Sequence, residues 1–178
     1  MLPKAQDPDD VRRVVDVVGD FGVIALIETA RGVIEAPRIA QAAGVQRLAL
    51  GNFDLAAELS VDPTDRQALL TVRHVLVLAS AAAGLPGPID GVTAGIDNPT
   101  RLSEDATYAR RLCFTAKLCI HPNQLVSVAD ALRPSTQERA WAESVVTAAA
   151  TSGVSLVNGE MVDKPVLQRA NRILRQFD

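Results

Sequence analysis

The segments Val23-Ile24-Ala25-Leu26-Ile27-Glu28 and Arg47-Leu48-Ala49-Leu50-Gly51-Asn52-Phe53-Asp54 decide the fold, because each is a short apolar run that ends at a carboxylate. Runs of four to six apolar residues read as parallel strands buried on both faces. Ile89 to Thr93 and Lys117 to Ile120 have the same character, and Met1 to Pro3 reads as the end of another strand. Amphipathic stretches lie between them. Asp7-Pro8 and Asp62-Pro63 each offer a capping carboxylate before a proline suited to a first helical turn, and Ser135-Thr136-Gln137-Glu138 fits a capping box. Apolar residues at three- and four-residue steps place further helices near 33–43, 64–83, 103–112, 123–131 and 164–176. This alternation predicts an α/β protein with a parallel sheet, open or closed into a barrel.

Composition agrees with a soluble globular chain. Of 178 residues 48% are hydrophobic and 22% charged, enough to bury a core without disulfides or a structural metal. The formal net charge is −3, so neither nucleic acid nor an anionic membrane is an expected partner. The N-terminal residues lack the basic and apolar regions of a signal peptide, and no run reaches the length of a membrane span, which leads to a cytoplasmic expectation. Cys113 and Cys119 stand in apolar surroundings without CxxC spacing and read as reduced core thiols. A change of style after Thr151, at Ser152-Gly153-Val154-Ser155-Leu156-Val157-Asn158-Gly159, reads as a loop or short hairpin ahead of the last helix. Residues 1–151 are therefore expected to form the main body and residues 152–178 a tail.

The chemistry-bearing residues cluster at strand ends. In a parallel sheet, carboxylates at the C-terminal ends of adjacent strands project where α/β folds carry their active sites. Glu28 and Asp54 could thus share one Mg²⁺, an oxygen-seeking ion that keeps several waters. The alternatives are a helix cap for Asp54 and an ion pair with Arg31 for Glu28. The turn Gly51-Asn52-Phe53-Asp54 can present successive N–H groups to a substrate carboxylate. Arg31 could hold a carboxylate or phosphate, or be a solvated loop residue. The common nucleotide loops GxxxxGK[ST] and GxGxxG are absent. His121 closes a strand without a nucleophile beside it and reads as architectural, and His74 as an ordinary helix residue.

Several motifs in order resemble the citrate lyase β-subunit-like family of HpcH/HpaI aldolases, which includes malyl-CoA and citramalyl-CoA lyases. They are Leu2-Pro3-Lys4, Leu26-Ile27-Glu28-Thr29-Ala30-Arg31-Gly32-Val33, Leu50-Gly51-Asn52-Phe53-Asp54-Leu55, Ile89-Asp90-Gly91-Val92, Ile120-His121-Pro122-Asn123-Gln124 and Gly159-Glu160-Met161-Val162-Asp163-Lys164-Pro165. The resemblance implies a (β/α)₈ TIM-barrel type, Mg²⁺ on Glu28 and Asp54, and substrate held by Arg31 and by Gly51, Asn52, Phe53 and Asp54. It implies cleavage of a β-hydroxyacyl-CoA to acetyl-CoA and a 2-oxo acid, with Asp163 as an acid/base reaching a neighbouring subunit of a homo-oligomer, commonly a trimer. It departs from the family at Gly95, where an acidic residue is usual, and at Ala116, where glycine precedes the lysine. A complete barrel needs roughly 250 residues. The expectation is an incomplete barrel, strands four to eight with a tail helix, which pairs with a separate N-terminal segment or with further copies of itself. A non-catalytic remnant and a Mg²⁺ aldolase of free 2-oxo acids are the competing readings.

Overall fold

The computed structural model describes residues 1–151, 155–157 and 159–175. They fall into two compact units, residues 1–132 and 133–178. The division lies ahead of the Ser135 capping box rather than after Thr151, because the helix that box starts packs against the last helix of the chain.

The first unit runs α1 (Pro8–Val18), a 3₁₀ turn (Gly19–Phe21), β1 (Val23–Ile27), α2 (Ala30–Ala40), β2 (Val45–Leu50), α3 (Asn52–Leu59), α4 (Leu70–Ala82), β3 (Ile89–Asp90), α5 (Pro99–Arg111), β4 (Ala116–Lys117) and α6 (Gln124–Leu132). All four strands are parallel in the order β1-β2-β3-β4. The expected fifth strand is reduced to one bridge between Leu2 and Ala25. Burial on β1 alternates: Val23, Ala25 and Ile27 are buried, while Ile24 and Leu26 are only half-buried. Full burial on both faces holds in β2 from Leu48 to Leu50. Those residues join Val11, Ile39, Leu55, Leu69, Leu76 and Phe114 in one apolar core.

Local signals explain most helix boundaries. Asp7 Oδ1 accepts from Asp9 N at 2.9 Å and starts α1 with Pro8 in the first turn. Thr29 Oγ1 accepts from Gly32 N at 3.0 Å, so α2 begins at Ala30 rather than residue 33. The expected helix from residue 64 begins only at Leu70. Asp62 takes Thr64 N at 2.7 Å and Asp65 takes Gln67 N at 2.8 Å, two local turns that compete with a helical ladder. Helix α5 closes on Cys113, which adopts a left-handed φ of 70° while Phe114 N donates to Ala109 O at 3.1 Å. That geometry sends Phe114 into the core and leaves Cys113 exposed, so Cys113 is not the core thiol expected; Cys119 is half-buried.

The second unit holds α7 (Thr136–Thr151), an antiparallel hairpin of β5 (Ser155–Val157) and β6 (Glu160–Val162), and α8 (Lys164–Leu174). The hairpin replaces the loop alternative; residues 152–154 and 158 of that stretch lie outside the described residues. The capping box forms as read: Glu138 N donates to Ser135 Oγ at 3.1 Å and Ser135 N to Glu138 Oε2 at 2.8 Å. Ala142, Val145 and Ala170 form a small core joined by Trp141, whose ring carries the Arg169 guanidinium at 4.6 Å. No helix among the described residues is long and apolar enough to cross a membrane.

Leu48 is fully buried on the second strand of the sheet. Leu48→Ala should cost about 2–5 kcal/mol, read as a lower urea midpoint with an unchanged slope.

Candidate functional site

Glu28 follows the last residue of β1 and is 6% exposed. Its Oε1 accepts the backbone N–H of Lys4 at 2.9 Å, and Lys4 holds the left-handed conformation (φ 49°) that aims this N–H. The other carboxylate oxygen, Oε2, lies over Gly51. A Cβ built there would stand 2.7 Å from Oε2, so only glycine leaves this cradle open. Asp54 is the third residue of α3, and Lys4 Nζ approaches its Oδ2 at 3.8 Å. Lys4 thus contacts both carboxylates, one through its backbone and one through its ammonium.

Neither alternative for these carboxylates holds. Gly51, not Asp54, is the N-cap of α3, and no side chain caps that helix. Arg31 pairs with Asp7 at 3.8 Å, with its side chain 68% exposed. Such an exposed pair contributes little to stability. Among the described residues no group of three or more His, Cys, Asp or Glu could hold a metal. A two-carboxylate donor set suits a hard cation that completes its shell with water and substrate oxygens.

The turn's other side is a polar lattice. Asn52, 5% exposed, accepts from Val92 N at 2.9 Å and donates to Val92 O at 3.1 Å. Its carboxamide is therefore committed to the loop after β3, leaving backbone N–H groups as what the turn can offer a ligand. Asp90, 1% exposed, receives Arg73 Nη2 and Lys117 Nζ, each at 3.0 Å. Lys117 also donates to Gly91 O at 2.6 Å. Gln124, 1% exposed, donates to Thr93 O at 3.0 Å and accepts from Ile120 N at 2.9 Å. Burial raises and the nearby Lys117 charge lowers the Cys119 thiol, which ends above its ordinary value and is a poor nucleophile at neutral pH. Burial also works to raise Asp105, but hydrogen bonds from Arg66 and Thr93 and the charges of Lys117 and Arg66 outweigh it and hold the carboxyl below its ordinary value.

His121 accepts from Asn123 N at 3.2 Å through Nδ1, an architectural bond, and His74 is exposed on α4. Asp163, in the second unit, is the N-cap of α8 and accepts from Val166 N at 3.0 Å. Sequence reasoning gave no role to Arg73, Lys117 or Gln124. The available signal was a charge on an apolar helix, Leu70-Thr71-Val72-Arg73, and a lysine opening the apolar run Lys117 to Ile120; Gln124, the first residue of α6, carried no such signal.

A family model for the HpcH/HpaI aldolase/citrate lyase family matches residues 1–122. The chain belongs to that family. It is 36% identical to a citrate lyase subunit beta-like protein of Mycobacterium tuberculosis over 99% of its own length and 65% of the relative's. It is 31% identical to a (3S)-malyl-CoA thioesterase of Cereibacter sphaeroides, spanning 64% of that protein. The CitE protein of M. tuberculosis, solved in complex with magnesium, acetoacetate and coenzyme A, superposes with a TM-score of 0.85 at 35% identity, over 99% of this chain and 67% of that one. The chain thus spans about two thirds of these relatives, and its four-stranded parallel sheet with flanking helices is shared with them.

Gln124→Leu removes the clamp on the loop after β3 and leaves Thr93 O and Ile120 N unpaired. The expected loss is about 1–3 kcal/mol, and amide hydrogen exchange at Ile120 should accelerate by a similar free energy.

Proposed function

We propose that this chain supplies the metal-binding part of a carbon–carbon lyase for a β-hydroxyacyl-CoA such as malyl-CoA, citramalyl-CoA or citryl-CoA, giving acetyl-CoA and a 2-oxo acid. The observation that carries the reading is the contact of Lys4 with both Glu28 and Asp54 at the ends of adjacent strands, with Glu28 Oε2 over Gly51. Glu28 and Asp54 would hold Mg²⁺, the ion bound in the CitE complexes. When bound, that ion supplies Lewis acidity to substrate oxygens and neutralises charge developing on them.

The chain's own residues orient the substrate. The first N–H groups of α3, uncapped by any side chain, face a substrate carboxylate with the positive end of the helix dipole. Arg31, with only an exposed partner in Asp7, is available to a second carboxylate. Asp163 serves as the acid/base of a neighbouring subunit in a homo-oligomer, a trimer in this reading. The first unit, residues 1–132, forms part of a (β/α)₈ barrel in a cytoplasmic enzyme. Arg31 and the turn alone leave the scissile bond loosely oriented, and loss of positioning reaches several powers of ten in rate. An additional N-terminal segment, or further copies of this chain, would complete the barrel.

A second reading, thioester hydrolysis of the same substrate class, draws support from the malyl-CoA thioesterase relative. The products separate the two: the lyase releases acetyl-CoA, the hydrolase free CoA.

The test combines metal and turnover. Mg²⁺ or Mn²⁺ titrated into the wild type and into Asp54→Asn and Glu28→Gln should show binding weakened at least tenfold in each variant; equal affinity would remove the metal reading. In an assembly active on malyl-CoA or citramalyl-CoA, Asp163→Asn should lower kcat with metal affinity and thermal stability unchanged. Asparagine caps a helix as well as aspartate does, so the charge alone is removed. A variant as fast as wild type would exclude Asp163 as the acid/base.

A further inference from the structure

Beyond the Gly51–Asp54 turn, the C-terminal ends of β2, β3 and β4 open on a cavity of about 300 Å³. Its wall carries four cationic side chains, Arg66, Arg73, Arg101 and Lys117, against two carboxylates, Asp90 and Asp105. Both carboxylates are already engaged. Asp90 is shared by Arg73 and Lys117, and Asp105 takes Arg66 Nη2 at 2.9 Å and the Thr93 hydroxyl at 2.9 Å. The wall therefore keeps an excess of two positive charges.

Two cationic side chains leave that excess least compensated: Arg101, and Arg73, which shares Asp90 with Lys117. Arg101 makes no ion pair within 4 Å among the described residues, although its charge helps hold the Asp62 carboxyl below the ordinary value, after the larger effect of two hydrogen bonds from Thr64. Arg73 is 7% exposed, and its Nε is fully buried with no hydrogen-bond partner among the described residues. A buried guanidinium N–H left unmade is unfavourable, and few are retained without a use. The guanidinium carbons of Arg66 and Arg73 both lie over the Tyr108 ring, 4.9 Å and 5.6 Å from its centroid. Helix α5 begins at the same wall behind its cap, Asn98. From Arg66 and Arg101 a second polar groove leads outward past Thr64, Thr100 and the carboxylate of Glu104.

The geometry points to a phosphate-binding site: the cavity takes a dianionic phosphate group of a small molecule, between Arg66, Arg73 and Arg101, with the rest of that molecule in the outer groove. Guanidinium forks match phosphate oxygens in bidentate pairs, and a dianion cancels the excess of two charges where a single carboxylate leaves one. The site requires only these side chains and holds whether or not Glu28 and Asp54 bind a metal. Phosphate of this kind is carried by the CoA part of a thioester and by free phosphorylated metabolites, and the experiment separates the two sources.

Inorganic phosphate titrated into the 178-residue chain at low ionic strength, followed by the amide resonances of Thr93, Ala94 and Gly95, should give saturable shifts. Arg66→Gln and Arg101→Gln, both at solvent-accessible positions, should each weaken that binding roughly tenfold or more. Displacement of phosphate by CoA assigns the site to the thioester's phosphate; phosphate binding unaffected by CoA assigns it to a free phosphorylated ligand. No saturable shift, or equal affinity in wild type and both variants, overturns the proposal. A Mg²⁺ titration of the same samples reads the Glu28–Asp54 centre separately, so failure of one site leaves the other measurable.

Discussion

The buried carboxylate of Asp90 is the interaction on which the functional end of the first unit depends. Strands β3 and β4 are two residues long and share only two registered pairs, too few hydrogen bonds to fix their position alone. Asp90 makes up the difference by binding Arg73 from α4 and Lys117 from β4, which ties three elements through one side chain. Taking these charges out of water costs several kcal/mol per ion, and mutual attraction offsets it only when geometry is good and remaining donors are used. Lys117 uses a second hydrogen on Gly91 O. Arg73 Nε stays buried without a partner among the described residues, and the pair carries the cost of that donor.

The loop after β3 is built on the same logic. Asn52 holds Val92 by both its carboxamide groups, and Gln124 holds Thr93 and Gly95. Gly91 is required because a Cβ there would fall on the Asn52 carboxamide, as one at Gly51 would fall on Glu28. Two glycines, each with ordinary backbone angles, are thus demanded by close approach. The turn between β2 and α3 is gripped from both sides, by Glu28 toward the carboxylate pair and by Val92 toward the cavity.

What could be read from the sequence follows from how local the cause is. The Asp7-Pro8 start and the Ser135 box act within four residues, and each formed as its pattern implied, whereas the equally local Thr29 cap starts α2 ahead of the apolar pattern. That Glu28 and Asp54 stand beyond the C-terminal ends of two adjacent parallel strands was legible because each follows a short apolar run. The start of α4 was misplaced because two aspartates in succession, Asp62 and Asp65, make local turns that outcompete a helix. Helix α3 was read as a turn because it carries no capping side chain. The exposure of Cys113 depends on a left-handed closing residue, which composition around it does not reveal. Arg73, Lys117 and Gln124 escaped assignment for a different reason: their partners lie 17, 27 and 31 residues away, and only the folded sheet brings them together.

The carboxylate pair and the cationic cavity meet at one structural element, since Asn52 and Phe53 line the cavity while Gly51 and Asp54 frame the Glu28 cradle. A ligand in either place acts on the start of α3. Movement of that turn toward a bound cation would pull on Val92 and through it on the loop that Gln124 clamps. Coupling of this kind is reciprocal: whatever free energy a cation contributes to the cavity's geometry, an anion in the cavity returns to the cation. The two centres are separable by mutation, because Arg66 and Arg101 make no contact with Glu28, yet they share a hinge made of four consecutive residues.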